Sequence, residues 1–211
     1  MTILSVNKTR HLMGAAALIF FLDFYALSRT VFSSCFFILR RIFMRQKTRR
    51  LTQAAIIAAL YVVLTHLQNA LLPGSATWAI QCRASEALCV LALFTPAAIP
   101  GLSIGCLLFN ITFAAALPLD WLVGTAASFS AAWAMWHSRK ITIKGYPLLA
   151  LLMPALTNAF FVGWELTVYI GGSYPINALY VALGELIVLL TLGSILFSAI
   201  RRRNLDSSIF A

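Results

Sequence analysis

Six apolar segments follow one another after residue 50, with short polar stretches between them. A transmembrane helix needs about 20 predominantly apolar residues, and most of the segments approach that length. The chain is 61% hydrophobic and 10% charged, whereas a soluble domain carries about 25% charged residues. We therefore predict an all-α integral membrane protein with six transmembrane helices. The approximate predicted spans are residues 52–72, 84–96, 97–117, 121–137, 147–170 and 176–200.

The second span is the least regular of the six. Its apolar run is short unless the polar stretch from Gln81 to Glu86 extends below the membrane surface. Pro96 and Pro100 follow, and proline removes a helical hydrogen bond and clashes with the preceding turn. Residues 96–101 are therefore predicted to form the turn between the second and third spans.

Basic residues indicate how the chain is oriented in the membrane. If residues 45–50 are cytoplasmic, six spans place residues 138–146 and 201–211 on the same side, and these three regions hold ten Lys and Arg residues. The loops on the other side contain only Arg83. Because cytoplasmic loops are enriched in Lys and Arg, both termini are predicted to be cytoplasmic. The net charge of +10 then reflects membrane topology and not a nucleic-acid-binding surface.

The first 44 residues have several interpretations. Residues 12–28 are apolar but contain Asp23, and three arginines lie between this segment and Met44. The segment is compatible with a seventh span, an interfacial helix or an uncleaved signal-like sequence. It is also compatible with a leader that is not translated, because Met44 followed by a basic cluster would be a suitable start. The predicted organisation is an extension (1–44), a membrane domain (45–205) and a cytoplasmic tail (206–211).

Polar side chains inside the predicted spans are the candidates for function. An ionisable side chain in a bilayer costs about 2.5–3.5 kcal/mol on insertion scales, so it indicates a functional site by default. Six of seven such polar residues fall in the outer half of the membrane, and together they come from five different spans. The seven are His66, Glu86, Asn110, Asn158, Glu165, Asn177 and Glu185. This convergence predicts a pocket open to the outside, although the same groups could instead bond one another between helices.

The three glutamates indicate the chemistry of the pocket. Buried carboxylates require a cation or N–H donors, such as a cationic amine or the edge of a guanine-like ring. Arg83 precedes Glu86 by three residues, so the two can form an ion pair or line the rim of the pocket. Trp164 adjoins Glu165 and either stacks on a flat ring or contacts lipid. The candidate substrate-binding residues are Arg83, Glu86, Asn110, Asn158, Trp164, Glu165, Asn177 and Glu185.

One catalytic motif is present, but it lacks the residues that would activate it. Residues 101–105 read G-x-S-x-G, the pattern found around a nucleophilic serine. Ser103 is predicted near the inner side, whereas His66 is predicted near the outer side, so no base is in reach. An intramembrane hydrolase is kept as the alternative from a different class. The chain has no Walker A motif and no metal-binding Cys or His spacing, so we expect no cofactor and an external source of energy.

The first span carries two overlapping pairs of small residues near its cytoplasmic end. Ala54 pairs with Ala58, and Ala55 pairs with Ala59, each at a spacing of four. Small residues at this spacing let another helix approach closely. The approaching helix can belong to a second protein or to the same chain, and the sequence leaves both possibilities open.

Four sequence blocks are similar to one family of membrane proteins. They are QCRASEAL (81–88), FTPAAIPGLSIGCL (94–107), PALTNAFFVGWEL (154–166) and NALYVALGELIVL (177–189). In this order they resemble the QueT family, the predicted queuosine-precursor transporters. These are S-components, the substrate-binding subunits of energy-coupling factor (ECF) transporters. The resemblance extends over about residues 51–200.

The resemblance implies a six-helix S-component-like bundle without enzymatic activity, in the membrane of a bacterial cell. It would capture a 7-deazaguanine such as 7-aminomethyl-7-deazaguanine outside and release it inside by toppling in the membrane. The implied partners are a transmembrane coupling subunit and two cytoplasmic ATPase subunits, with Ala54, Ala55, Ala58 and Ala59 contacting the coupling subunit. An S-component for another vitamin or for a cationic heterocycle such as thiamine is the alternative.

Overall fold

The computed structural model describes residues 46–73, 82–113, 116–143 and 145–205. The chain divides into two units, Met1–Arg49 and Arg50–Ala211, and nearly all described residues belong to the second. The predicted extension (1–44) and the predicted tail (206–211) lie outside the described residues.

The described part of the chain is all-α and contains no β-strand, as the hydropathy pattern predicts. Five α-helices and one 3₁₀ helix follow in the order of the six predicted spans. A π-helical turn at Leu189–Gly193 lies within the last α-helix. The elements are α1 (Gln46–Leu71), the 3₁₀ helix (Ala84–Leu93), α2 (Ala98–Thr112), α3 (Pro118–Ser138), α4 (Leu148–Ile170) and α5 (Tyr174–Arg202).

Three of these helices, α1, α4 and α5, are long and apolar enough to cross a membrane. Large apolar side chains project from their surfaces, including Val63, Phe160 and Ile195, which are 60%, 63% and 66% exposed. Soluble monomers rarely expose contiguous apolar surface on this scale. The outer surface of the bundle is therefore suited to contact with lipid.

Side-chain contacts show which helix ends lie together. Thr95, which follows the 3₁₀ helix, donates a 3.0 Å hydrogen bond to Gln53 near the start of α1. Arg201, at the end of α5, donates a 3.1 Å hydrogen bond to the Gly145 carbonyl before α4. We call this end of the bundle the basic end, because Lys and Arg residues lie at the start of α1, directly after α3 and at the end of α5. They are Lys47, Arg49, Arg50, Arg139, Lys140, Arg201, Arg202 and Arg203.

The 3₁₀ helix occupies the centre of the bundle. Eight consecutive residues, from Ser85 to Ala92, are buried, so no face of this stretch reaches lipid. A 3₁₀ helix rises about 2.0 Å per residue, against about 1.5 Å in an α-helix. Its ten residues therefore cover about 20 Å, which is more than an α-helix of the same number of residues would cover.

The turn after the 3₁₀ helix is shorter than the prolines predict. We predicted a turn over residues 96–101, but α2 already begins at Ala98. Pro100 lies in the first turn of α2, where backbone N–H groups have no partner within the helix and a missing N–H costs little. Gly101 is therefore helical, and its lack of a side chain serves packing.

Helices α1 and α2 run parallel and in close contact. A Cβ atom on Gly101 would lie 2.8 Å from the Ala54 carbonyl oxygen, and one on Gly105 would lie 3.0 Å from the Ala58 carbonyl oxygen. Ala54 and Ala58 are accordingly buried, with 6% and 5% exposure. Paired small residues are the usual means of bringing membrane helices this close.

This packing corrects the interpretation of the four alanines as one external face. Ala54 and Ala58 are covered by α2 of the same chain, whereas Ala55 and Ala59 are exposed. The two overlapping pairs thus point to different sides of α1. A partner protein can reach only Ala55 and Ala59.

Candidate functional site

Three glutamates on three different helices are buried inside the bundle. They are Glu86 on the 3₁₀ helix (1% exposed), Glu165 on α4 (6% exposed) and Glu185 on α5 (2% exposed). A carboxylate removed from water is costly unless donors or a cation compensate it. The three residues differ in how far the protein itself supplies that compensation.

Glu86 has a partner for each of its oxygens. The Tyr61 hydroxyl donates a 2.7 Å hydrogen bond to Oε1, and the Cys89 thiol donates to Oε2 at 3.3 Å. Residues three apart eclipse each other in a 3₁₀ helix, which brings Cys89 beside Glu86. Glu86 therefore joins α1 to the 3₁₀ helix and is satisfied without a ligand.

A polar stripe on α1 contacts the start of the 3₁₀ helix. Tyr61, Thr65 and Gln68 follow the i, i+4, i+7 spacing of one helix face. The Thr65 hydroxyl donates a 2.8 Å hydrogen bond to the Ser85 hydroxyl, and both residues are fully buried. This polar stripe lies on the same face of α1 as Ala54 and Ala58, farther from the basic end.

Gln68 bonds the backbone on both sides of Arg83. Its Nε2 donates to the Cys82 carbonyl oxygen at 2.6 Å, and its Oε1 accepts from the Ala84 N–H at 2.7 Å. This pair of bonds satisfies an N–H group at the beginning of the 3₁₀ helix, where the helix itself offers no partner. It also fixes the backbone position from which the Arg83 side chain extends.

Arg83 is the positive charge among the glutamates. Its guanidinium group interacts electrostatically with Glu86 and Glu185, and it also acts on Glu165. Arg83 and Glu86 thus do not form an isolated ion pair one turn apart. Arg83 therefore has an electrostatic interaction with each of the three buried glutamates, and the prediction that these residues line one substrate pocket stays a prediction.

Glu185 is only partly compensated. The Asn158 side chain on α4 hydrogen-bonds to its carboxylate, which links α4 to α5. Its Oε2 is buried and accepts no hydrogen bond. Asn158 is itself 4% exposed, so the pair lies deep between the two helices.

Glu165 faces a second carboxyl group. Asp120, in the first turn of α3, lies at hydrogen-bonding distance from it, and Oε1 of Glu165 is buried without a donor. Oδ2 of Asp120 accepts a 2.8 Å hydrogen bond from the Leu117 N–H and so caps α3. Two carboxylates offer each other no donor, so this pair requires a proton or a cation.

Two predicted site residues instead join the ends of neighbouring helices. Nδ2 of Asn110 donates a 2.7 Å hydrogen bond to the Asp120 carbonyl oxygen, which connects α2 to α3. Nδ2 of Asn177 donates to Thr167 Oγ1 at 3.1 Å and to the Gly171 carbonyl oxygen at 3.0 Å, which closes the α4–α5 turn. Both amide nitrogens are therefore already engaged.

Trp164 lies on a different side of α4 from Glu165. It is 50% exposed and lines an apolar groove of about 580 Å³ with Phe160, Tyr174 and residues of α3. Helical neighbours point roughly 100° apart, so one can face the interior while the other faces outward. The structure therefore places Trp164 at the surface of the bundle and not over the buried carboxylates.

Sequence reasoning missed several polar residues of this region. Tyr61, Thr65 and Gln68 were detectable as polar positions at helical spacing in an apolar span. Asp120 was assigned to a loop, although it stands three residues after Leu117 as a helix-capping acid does. Asn69, near the end of α1, is a further case, because both polar atoms of its side chain are buried without a partner.

The serine motif has a structural explanation. Ser103 Oγ donates a 2.8 Å hydrogen bond to the Ile99 carbonyl oxygen of its own helix. His66 bonds the Thr112 hydroxyl at 2.9 Å. The glycines of the motif are those that contact α1. Among the described residues, no group of three or more His, Cys, Asp or Glu is arranged to hold a metal ion.

The chain matches a known family of transporters. A family model described as QueT transporter matches residues 51–202 of the 211-residue chain. No curated protein and no solved structure shows significant similarity to the chain. The matched range includes the helices and polar residues described above.

Proposed function

Because the chain belongs to the QueT transporter family, we propose that it is the substrate-binding subunit, the S-component, of an ECF-type importer. Membership in this family and three helices able to cross a membrane make it a membrane protein with a role in transport. The proposed substrate is a queuosine precursor, a 7-deazaguanine such as 7-aminomethyl-7-deazaguanine.

One observation supports a nitrogen-rich substrate. Glu165 Oε1 and Glu185 Oε2 are buried acceptors without donors, and they lie on the adjacent helices α4 and α5. A buried polar group left unpaired costs about 1–3 kcal/mol, and more if it is charged. A deazaguanine offers two adjacent N–H donors on its ring edge and an ammonium on its side chain, which are the groups these oxygens lack.

The proposed orientation places the basic end in the cytoplasm, in accordance with the positive-inside rule. All six helical elements would span the bacterial cell membrane, and the buried carboxylates would be reached from outside. The sequence has no Walker A motif, so ATP hydrolysis would belong to two separate ATPase subunits. The exposed Ala55 and Ala59 would contact the transmembrane coupling subunit, and toppling of the S-component would release the substrate inside.

Calorimetric titration of the purified protein with 7-aminomethyl-7-deazaguanine, without ATP, tests the proposal. We expect binding by the unmodified chain and weaker binding by Glu165→Gln and Glu185→Gln. Loss of a hydrogen bond to a charged group costs about 1.5–3 kcal/mol, which corresponds to roughly 10- to 150-fold in Kd. Thr191→Val is the matched control, because Thr191 is exposed on α5 and bonds only its own helix in the contacts described.

Two results would contradict the proposal in different ways. If thiamine binds and the deazaguanine does not, the chain is an S-component for another cationic heterocycle. If affinity is unchanged in both glutamine variants, the carboxylates do not contact the substrate. Thermal unfolding of each variant shows whether a loss of binding reflects a loss of fold.

A further inference from the structure

The candidate site holds more carboxyl groups than basic groups. Arg83 interacts electrostatically with Glu86, Glu165 and Glu185, and Asp120 is close to Glu165. The other Lys and Arg residues that the structure describes lie at the basic end. The four carboxyl groups thus outnumber the one guanidinium group. A buried carboxyl group without a counter-charge takes up a proton or binds a cation, so a ligand that brings positive charge suits this site.

The two unpaired carboxylate oxygens have different surroundings. Near Glu185 are the side-chain amide of Asn158 and the positive charge of Arg83, so this environment offers both hydrogen-bond donors and hydrogen-bond acceptors. The neighbour of Glu165 is the Asp120 carboxyl group, so this environment offers mainly hydrogen-bond acceptors. A heterocycle edge that alternates N–H groups with a carbonyl fits the first environment. An ammonium group, which has three donors and no acceptor, fits the second.

We propose that Glu165 and Asp120 form an ammonium subsite and that Glu185 and Asn158 form a separate subsite for the hydrogen-bonding edge of the ring. The substrate class is then a deazaguanine with a protonated amine on its side chain, and neutral ring analogues are disfavoured. This assignment rests on the proposed function, because it divides the same site between two parts of one substrate.

The test compares 7-aminomethyl-7-deazaguanine with its 7-cyano analogue, which keeps the ring and replaces the ammonium by a neutral nitrile. We expect the unmodified chain to prefer the amine at least about tenfold, equivalent to about 1.4 kcal/mol. Glu165→Gln should remove most of this preference by weakening only amine binding. Glu185→Gln should weaken both ligands by a similar factor and keep the preference.

Asp120→Asn provides a second variant of the ammonium subsite if Glu165→Gln unfolds. Asparagine retains an acceptor for the Leu117 N–H, so the cap of α3 is kept, and we expect the same selective loss of amine binding. Equal affinity of the unmodified chain for both ligands would overturn the ammonium subsite while leaving the proposed function standing. An equal effect of Glu165→Gln on both ligands would overturn the assignment of subsites. Binding of neither ligand would overturn the proposed function itself.

Discussion

The Tyr61 hydroxyl donates a 2.7 Å hydrogen bond to Glu86 Oε1, joining residues 25 positions apart in the chain. Their exposures are 0% and 1%, so the bond is fully inside the bundle. The Cys89 thiol also donates to Glu86, but thiols are weak donors. Tyr61 is therefore the stronger of the two described hydrogen-bond donors to a carboxylate that is buried in the first turn of the 3₁₀ helix.

Tyr61→Phe is expected to lower the free energy of unfolding by about 1–3 kcal/mol, because it leaves a buried carboxylate oxygen without its donor. Thermal unfolding in detergent measures the change. Tyr174→Phe is the matched control, since Tyr174 is 36% exposed and its hydroxyl bonds the Phe160 carbonyl oxygen at a long 3.4 Å. Equal stability of the two variants would show that Glu86 does not depend on Tyr61.

Gln68→Glu should disturb the start of the 3₁₀ helix. Gln68 donates to the Cys82 carbonyl oxygen and accepts from the Ala84 N–H, and a glutamate keeps only the second bond. A carboxylate oxygen facing a carbonyl oxygen repels it, so we expect stability to fall by about 1–3 kcal/mol. Substrate affinity should fall as well, because the backbone around Arg83 moves. Unfolding and calorimetric titration measure the two effects.

Gln53→Glu is the control for this substitution. It lies on the same helix, and its Oε1 accepts a hydrogen bond from Thr95, a role that glutamate retains. We therefore expect smaller changes than for Gln68→Glu. A similar loss in both variants would mean that the added charge, and not the lost donor, is responsible.

Hydropathy was sufficient to predict the all-α fold and the order of the helices, because each lipid-facing helix must be apolar along its length. It could not predict the 3₁₀ form of Ala84–Leu93. That segment contains ordinary α-helix formers such as alanine and leucine. Its conformation depends on the Gln68 bonds at its start and on burial from every side, and both arise from tertiary packing.

The three buried glutamates stand out in the sequence because a carboxylate in an apolar segment is costly. Their partners could not be predicted in the same way. Tyr61 carries one hydroxyl group on a large apolar ring, and Gln68 lies near the end of α1, so both gave a weaker signal than a carboxylate. Which alanine pair of α1 is covered depends on the rotation of α1 against α2. The periodicity of the sequence does not specify how α1 is rotated against α2.

Gly105→Ala should separate α1 from α2. A Cβ atom at this position would lie 2.8 Å from Tyr61 Cβ and 3.0 Å from the Ala58 carbonyl oxygen, so helix backbones must move. Overpacking of this kind costs about 1–3 kcal/mol, and thermal unfolding should show it. Ile104→Val is the control on the same helix, because Ile104 is 49% exposed. Unchanged stability of Gly105→Ala would mean that the two helices tolerate a wider spacing.

The alanines of α1 allow folding and coupling to be separated. Ala59 is exposed, so Ala59→Leu should leave stability and substrate binding unchanged. If this face contacts the coupling subunit, uptake by cells that contain the ATPase module should fall about tenfold, equivalent to about 1.4 kcal/mol of lost contact.

Ala58 is buried against Gly105, so Ala58→Leu should instead destabilise the purified protein by about 1–3 kcal/mol. Phe129→Leu, an exposed position on α3, controls for a change at the lipid surface. Normal uptake by Ala59→Leu would exclude this face of α1 as the coupling surface.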